Sequence, residues 1–211
     1  MVHVCQKSMK PYPQEQAFFV SSSVVAGRLL TVMQIAKEIS LAAKNAKAIA
    51  ERAGEKANSF KPITDFIDEM GRETIKLVEE INDQALSVSR SAVEELRCSD
   101  ACDRFAQAAE LLGDHKRANS LHEQVEHIKQ DAQSQQKEVR KQANVLLDLL
   151  DRIWSCMRAS GVISTRSRVE AVSADEYQDS LNVVAETIEK ASERIKAIIR
   201  DCERTIHLSL K

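Results

Sequence analysis

The chain has 211 residues, a formal charge of −2, 43% hydrophobic residues and only 4% aromatics. So small a net charge gives no whole-molecule field that would favour nucleic acid or an anionic membrane. So few aromatics, with five glycines and three prolines that all fall at or before Pro62, exclude a typical sheet core and predict an all-α fold of long helices.

Residues 1 to about 13, with Lys7, Lys10, Pro11 and Pro13, read as a loose arm. Met1 to Ser8 lacks the apolar stretch of a signal peptide. Ala17 to Val25 is interrupted by three serines and is far shorter than the ~20 residues a membrane span needs. The five cysteines (Cys5, Cys98, Cys102, Cys156, Cys202) are odd in number and form no Cys-x-x-Cys pair. A disulfide framework is therefore not expected, and a reducing, cytoplasmic setting is.

From about Gln14 to Ala53 the apolar positions Val25, Leu29, Val32, Ala36, Ile39, Ala43, Ala46, Ala50 and Ala53 alternate steps of four and three. That spacing is a coiled-coil seam on one side of a helix. Gly54 is the expected stop, because glycine accepts the left-handed cap conformation. Ser59 is a candidate cap for a second helix, with Pro62 in its first turn. Its seam runs through Ile63, Ile67, Met70, Thr74, Leu77 and Ile81, then shifts by one step to Ala85, Val88 and Ala92. The second helix is expected to reach about Arg97. Residues 99–112 read either as its continuation or as a separate piece capped by Ser99, and Gly113-Asp114 marks a stop and restart.

The third seam is Leu121, Val125, Ile128, Ala132, Gln135, Val139, Gln142, Leu146, Leu149, Ile153 and Cys156. It predicts a helix ending near Gly161, followed by a loop from Val162 to Val172 that carries Arg166 and Arg168. A fourth helix is signalled by a capping box at Ser173 and Glu176, with Val172 and Tyr177 at the staple positions. Its seam is Leu181, Val184, Ile188, Ala191, Ile195, Ile198 and Cys202. Two helical hairpins, 14–112 and 114–208, each bury too little alone, whereas four seams can close one core. The expected architecture is an elongated antiparallel four-helix bundle from residue 14 to 211. The alternative is a homodimer in which the first hairpin pairs with its own copy.

The stretch Ile35 to Phe60, centred on LAAKNAKAIAERAGEKANSF, resembles the cytoplasmic signalling hairpin of methyl-accepting chemotaxis receptors. The matching positions are Ile35, Ala36, Leu41, Ala43, Asn45, Ala46, Ala50, Arg52, Ala53, Gly54, Glu55 and Phe60. Weaker agreement follows at Ile63, Asp65, Ile67 and Met70. The resemblance covers about 40 residues and implies a non-catalytic cytoplasmic signalling hairpin. Its tip would contact protein partners, a chemotaxis adaptor or a histidine kinase. By that resemblance Asn45, Arg52, Glu55 and Phe60 would touch a partner or fix the turn, with Gly54 at the turn itself. The chain departs from the family pattern at Lys44, Lys47, Ile49, Ala57, Asn58, Ser59 and Pro62, and the two lysines put charge where the family is apolar or small. A further expectation is that the second hairpin stands in for the partner subunit of a receptor dimer.

Little in the chain points to chemistry. His122 and His127 are five apart, about 140° around a helix, so they do not share a face as a zinc pair must. Cys98 and Cys102 share a face but lack a third ligand. Glu79-Glu80 and Glu94-Glu95 read as solvated flanks, or as the acidic pairs that chemoreceptors methylate. Arg166 and Arg168 read as a solvated basic turn, with phosphate binding as the alternative. No phosphate loop, nucleophile elbow or triad spacing occurs, and no cofactor is expected. Two other readings stand beside the signalling one. A structural or effector-type bundle is the first. A small-ligand or metal-binding bundle, resting on the polar seam residues Thr74, Gln84, Gln135 and Gln142, is the second.

Overall fold

A computed structural model describes residues 13–112 and 116–210. The fold is all-α. Helix α1 spans Pro13–Ala53, a 3-10 tip turn spans Gly54–Phe60, and α2 spans Lys61–Leu112. Helix α3 spans Lys116–Ala171, a second 3-10 turn spans Val172–Tyr177, and α4 spans Gln178–Ser209. The chain leaves α1 through Gly54, whose φ of 62° is the left-handed conformation expected of a glycine stop. Ala57 (φ −119°, ψ 21°) breaks the regularity of the tip turn, and Lys61 resumes helical angles.

The helices form a ring in which α1 packs on α2, α2 on α3, α3 on α4 and α4 on α1. The tip turn and the second turn touch, so both hairpins bend at the same end of the bundle. Cross-links between neighbours record the register around this ring. Lys47 Nζ donates to Asp65 at 2.7 Å between α1 and α2. Arg152 on α3 reaches Glu73 and Glu80 on α2 at 3.1 and 3.8 Å. Arg168 on α3 pairs with Glu189 on α4. Arg194 on α4 reaches Glu38 on α1 at 3.7 Å, and Arg28 on α1 donates to the Asp201 carbonyl and to Thr205 Oγ1. All are exposed, so they set register more than they add stability.

Every expected seam residue of α1 from Val25 to Ala50 is buried, and so is every one of α2 from Ile63 to Ala92, Thr74 included. The core changes character along its length. Away from the tip it is filled by Leu29, Val32, Ile35 and Ile39 of α1 and by Leu146, Leu150 and Ile153 of α3. Toward the tip its α1 and α3 positions are small: Ala43, Ala46, Ala50, Ser160, Ser164, Ser167 and Ala171, with Ala185 of α4 facing them beside Leu181 and Val184. Small side chains let helices approach closely, and Ser164 Oγ donates across the gap to the Ala185 carbonyl of α4 at 3.0 Å. Phe60, only 1% exposed, is the largest of the fully buried side chains among the described residues, and it sits at the tip end with Ile63, Ile67 and Leu181 near it.

Several expectations are corrected. The second helix does not stop near Arg97: of the two readings of residues 99–112, the continuation of α2 is the one observed, so Ser99 caps nothing. Helix α3 does not end near Gly161 but runs to Ala171, so Arg166 and Arg168 sit on a helix and form no basic loop. The reason is the serine-lined close packing just described, which lacks the large apolar residues a seam is recognised by. Ser173 and Glu176 lie within the second turn, Tyr177 takes the N-cap position of α4 without a side-chain cap bond, and Val172 is exposed, so no staple forms. Ser59 likewise lies inside the tip turn, one residue too early to cap α2. The inward residue of α4 is Ile199, with Ile198 packed at its side, and on α3 Met157 faces in while Cys156 is half-buried. Gly113-Asp114, the arm before residue 13 and the side chain of His122 lie outside the described residues.

Glu203 on α4 carries a testable consequence of burial. Its carboxyl is pushed up from the ordinary range by burial and by the nearby Asp151 charge, against the opposing pull of His207 and Arg200. A folded-state value above the unfolded one favours folding below the ordinary carboxylate range, and that contribution is lost as pH rises through the folded value. At pH 7 the ionised group is therefore a cost. Glu203→Gln is expected to raise the thermal midpoint at pH 7 by an amount worth within about 0.5 kcal/mol, since the site is partly solvated. Melting curves at pH 7 and pH 4 check this, because the advantage should shrink at the lower pH.

Candidate protein-contact tip

The tip is built from the last turns of α1, the tip turn and the first turn of α2, braced by α3 and the second turn. Asn45 and Arg52 are seven residues apart and both exposed on the outer side of α1. Glu55 is exposed just past Gly54. Phe60 points inward. At 1% exposure it offers no surface to a partner. Arg52 also closes the last turn of α1, where a cation is favoured by the helix dipole.

The departures from the receptor pattern are accommodated without a buried charge. Lys44 and Lys47 are both exposed, and Lys47 is held by Asp65, whose hydrogen bond pushes the ammonium pKa upward. The close approach behind this surface involves Gly71 of α2. A Cβ there would run into Ser40 Oγ and lie 3.2 Å from the Ala36 carbonyl of α1.

One exposed residue was not singled out as a contact by sequence reasoning. Leu41 is a large apolar side chain on the outer side of α1, four residues before Asn45. It matched the receptor pattern, but a leucine in a heptad-rich helix reads as core. The signal that separates it is its place between seam residues Ile39 and Ala43, on neither seam step.

The other candidate sites are not assembled. His127 is exposed and lies 3.5 Å from Asp131. Cys98 and Cys102 are half-buried free thiols. No group of three or more His, Cys, Asp or Glu side chains that could hold a metal ion occurs among the described residues. Thr74 donates to the Met70 carbonyl of its own helix, and Gln142 Nε2 donates to Glu138 of its own helix at 3.4 Å while its Oε1 is buried without a partner. The Cys202 thiol is pushed up to about 11 by burial, which makes it an inert core group at neutral pH. Glu80 is engaged by Arg152 and Glu94 by Arg97. An open groove of about 480 Å³ on the outer α2–α3 surface is lined by Phe66, Met70, Cys156 and Ala159 with charged side chains at its rim.

No known family model, curated protein or solved structure matches the chain. Among the described residues no helix is long and apolar enough to cross a membrane. What is defined is an all-α bundle of two hairpins whose turns meet at one end.

Proposed function

We propose that this chain is a non-enzymatic cytoplasmic signalling or scaffold protein that acts by protein–protein contact at the hairpin tip. Its resemblance to chemoreceptor signalling hairpins makes a chemotaxis adaptor or histidine kinase the partner. The observation that carries the reading is the exposure of Leu41, Asn45, Arg52 and Glu55 together on the tip end of a braced hairpin. The contact of the two turns supports the related idea that α3 and α4 take the place of a second receptor subunit. A receptor tip is normally completed by another chain, and here a second hairpin of the same chain reaches the same end.

The test is association of the purified chain with a chemotaxis adaptor–kinase pair, followed by kinase activity. Arg52→Ala and Glu55→Ala should each weaken association about tenfold, or roughly 1.4 kcal/mol, while Arg140→Ala on the far part of α3 leaves it unchanged. Absence of association, or equal association by all variants, moves the chain to the structural or effector-type reading.

A further inference from the structure

The outer face of α1 is more than a boundary to solvent. Leu30 and Leu41 are each 60% exposed and stand eleven residues apart, which returns to nearly the same angle on a straight helix. Ala48, a further seven residues on, lies on the same stripe and is exposed. Lys37, Lys44 and Arg52 are exposed within about 60° of it.

The edges of the stripe are fixed by ion pairs to the neighbouring helices. On one side Lys47 is bound to Asp65 of α2, and on the other Glu38 is reached by Arg194 of α4. Between these edges the stripe carries three cations against one exposed carboxylate, Glu51 at its margin, while Glu38 at the edge is engaged by Arg194. The chain as a whole is at −2, so this local excess is a feature of one face and not of the composition. Exposed leucines with interleaved cations are poor surface for water alone, and a helix face with apolar anchors at i, i+11 and i+18 matches a facing helix.

We infer that this stripe docks a partner's amphipathic helix whose apolar face is flanked by carboxylates. The inference rests on the tip reading for its location and adds to it the chemistry of the partner. The two exposed leucines and Ala48 seat the partner's apolar side chains. Lys37, Lys44 and Arg52 meet its acids at the rim, where complementarity governs encounter rate and partner choice. The face is too apolar along its midline for a phosphate backbone, and too narrow and too interrupted by cations for burial in a bilayer surface.

The experiment uses the full chain and two synthetic helical peptides of one sequence pattern, with leucines on one face and either Glu or Lys at the flanking positions. Fluorescence anisotropy should give binding of the Glu peptide that is at least tenfold tighter than that of the Lys peptide and falls as salt rises. The triple variant Lys37→Glu, Lys44→Glu, Arg52→Glu should invert the preference. Leu30→Ser with Leu41→Ser should weaken the Glu peptide at least fivefold with helicity retained. Equal binding of both peptides, indifference to the leucine changes, or preferential binding to anionic phospholipid vesicles or to duplex DNA would overturn the inference. The two levels separate cleanly. Adaptor–kinase association that survives Lys37→Glu with Lys44→Glu but is lost in Glu55→Ala would sink the stripe and keep the tip. Loss of neither sinks the tip reading itself.

Discussion

Phe60→Ala is expected to cost about 3–5 kcal/mol, the range for emptying a fully buried aromatic site. For a chain of this length that is a fall of roughly 6–20 °C in the thermal midpoint. The size follows from position. Phe60 is the largest fully buried side chain among the described residues, and the α1 and α3 core positions beside the tip are alanine and serine, which have little bulk to fill the space it would leave. The turn that carries it packs on all of α1, α2, α3 and the second turn, and loosening it frees both bends together. Thermal melts, with amide exchange at residues 54–60 and 172–177, read this out. A shift under about 1 kcal/mol would mean that Phe60 is not the plug described. Phe60→Leu should recover most of the loss, whereas a side chain that served only to touch a partner would leave the melt unmoved in either variant.

Gly71→Val is the second large effect. At this position α1 and α2 are so close that even a methyl would crowd two α1 backbone atoms, the Ala36 carbonyl at 3.2 Å and the Ser40 nitrogen at 3.3 Å. Ser40 Oγ can rotate away, but the backbone cannot. Overpacking of this kind costs about 1–3 kcal/mol, and branching at Cβ puts valine at the upper end. Gly71→Ala is the more informative partner. Its gain in helix propensity, about 1 kcal/mol, opposes the clash. Ser40 Oγ is buried without a hydrogen-bond partner, so Ser40→Ala alone should be neutral or stabilising. In that background Gly71→Ala should become cheaper by at least ~0.5 kcal/mol, a coupling that denaturant titration of the four proteins measures. Additive behaviour would contradict the close approach.

The helices were legible wherever large apolar residues kept the heptad. The α1 seam from Val25 to Ala50 and the α2 seam from Ile63 to Ala92 are buried as their spacing predicts, and the Gly54 stop carries the positive φ expected of it. Legibility failed where packing is tight and small. Val162 to Val172 reads as a loop because the inward residues Ser164 and Ser167 are small and polar, yet their hydroxyls are absorbed by carbonyls of α4 and α3. Gly161 costs only propensity there, since it sits on open surface. The Ser173–Glu176 pair misled for a related reason. A capping box is a local pattern, and the contact between the two turns is a tertiary one that sets where α4 begins. For the tip, exposure of Asn45, Arg52 and Glu55 followed from their places off the seam. Whether Phe60 faced a partner or the core could not be read, because the tip turn has no heptad to assign it.

Both bends lie together at one end of a single chain, and the shared tip follows from that contact. Spin labels at Ser59 and Ser173, in a background whose native cysteines are replaced, test that directly by electron–electron distance measurement after dilution with unlabelled protein. Contacting turns, with packed helices ~8–10 Å apart, predict one narrow population below ~25 Å that survives dilution. A distribution centred near ~60 Å, the length of the 41-residue α1, or a short distance that vanishes on dilution, would contradict it.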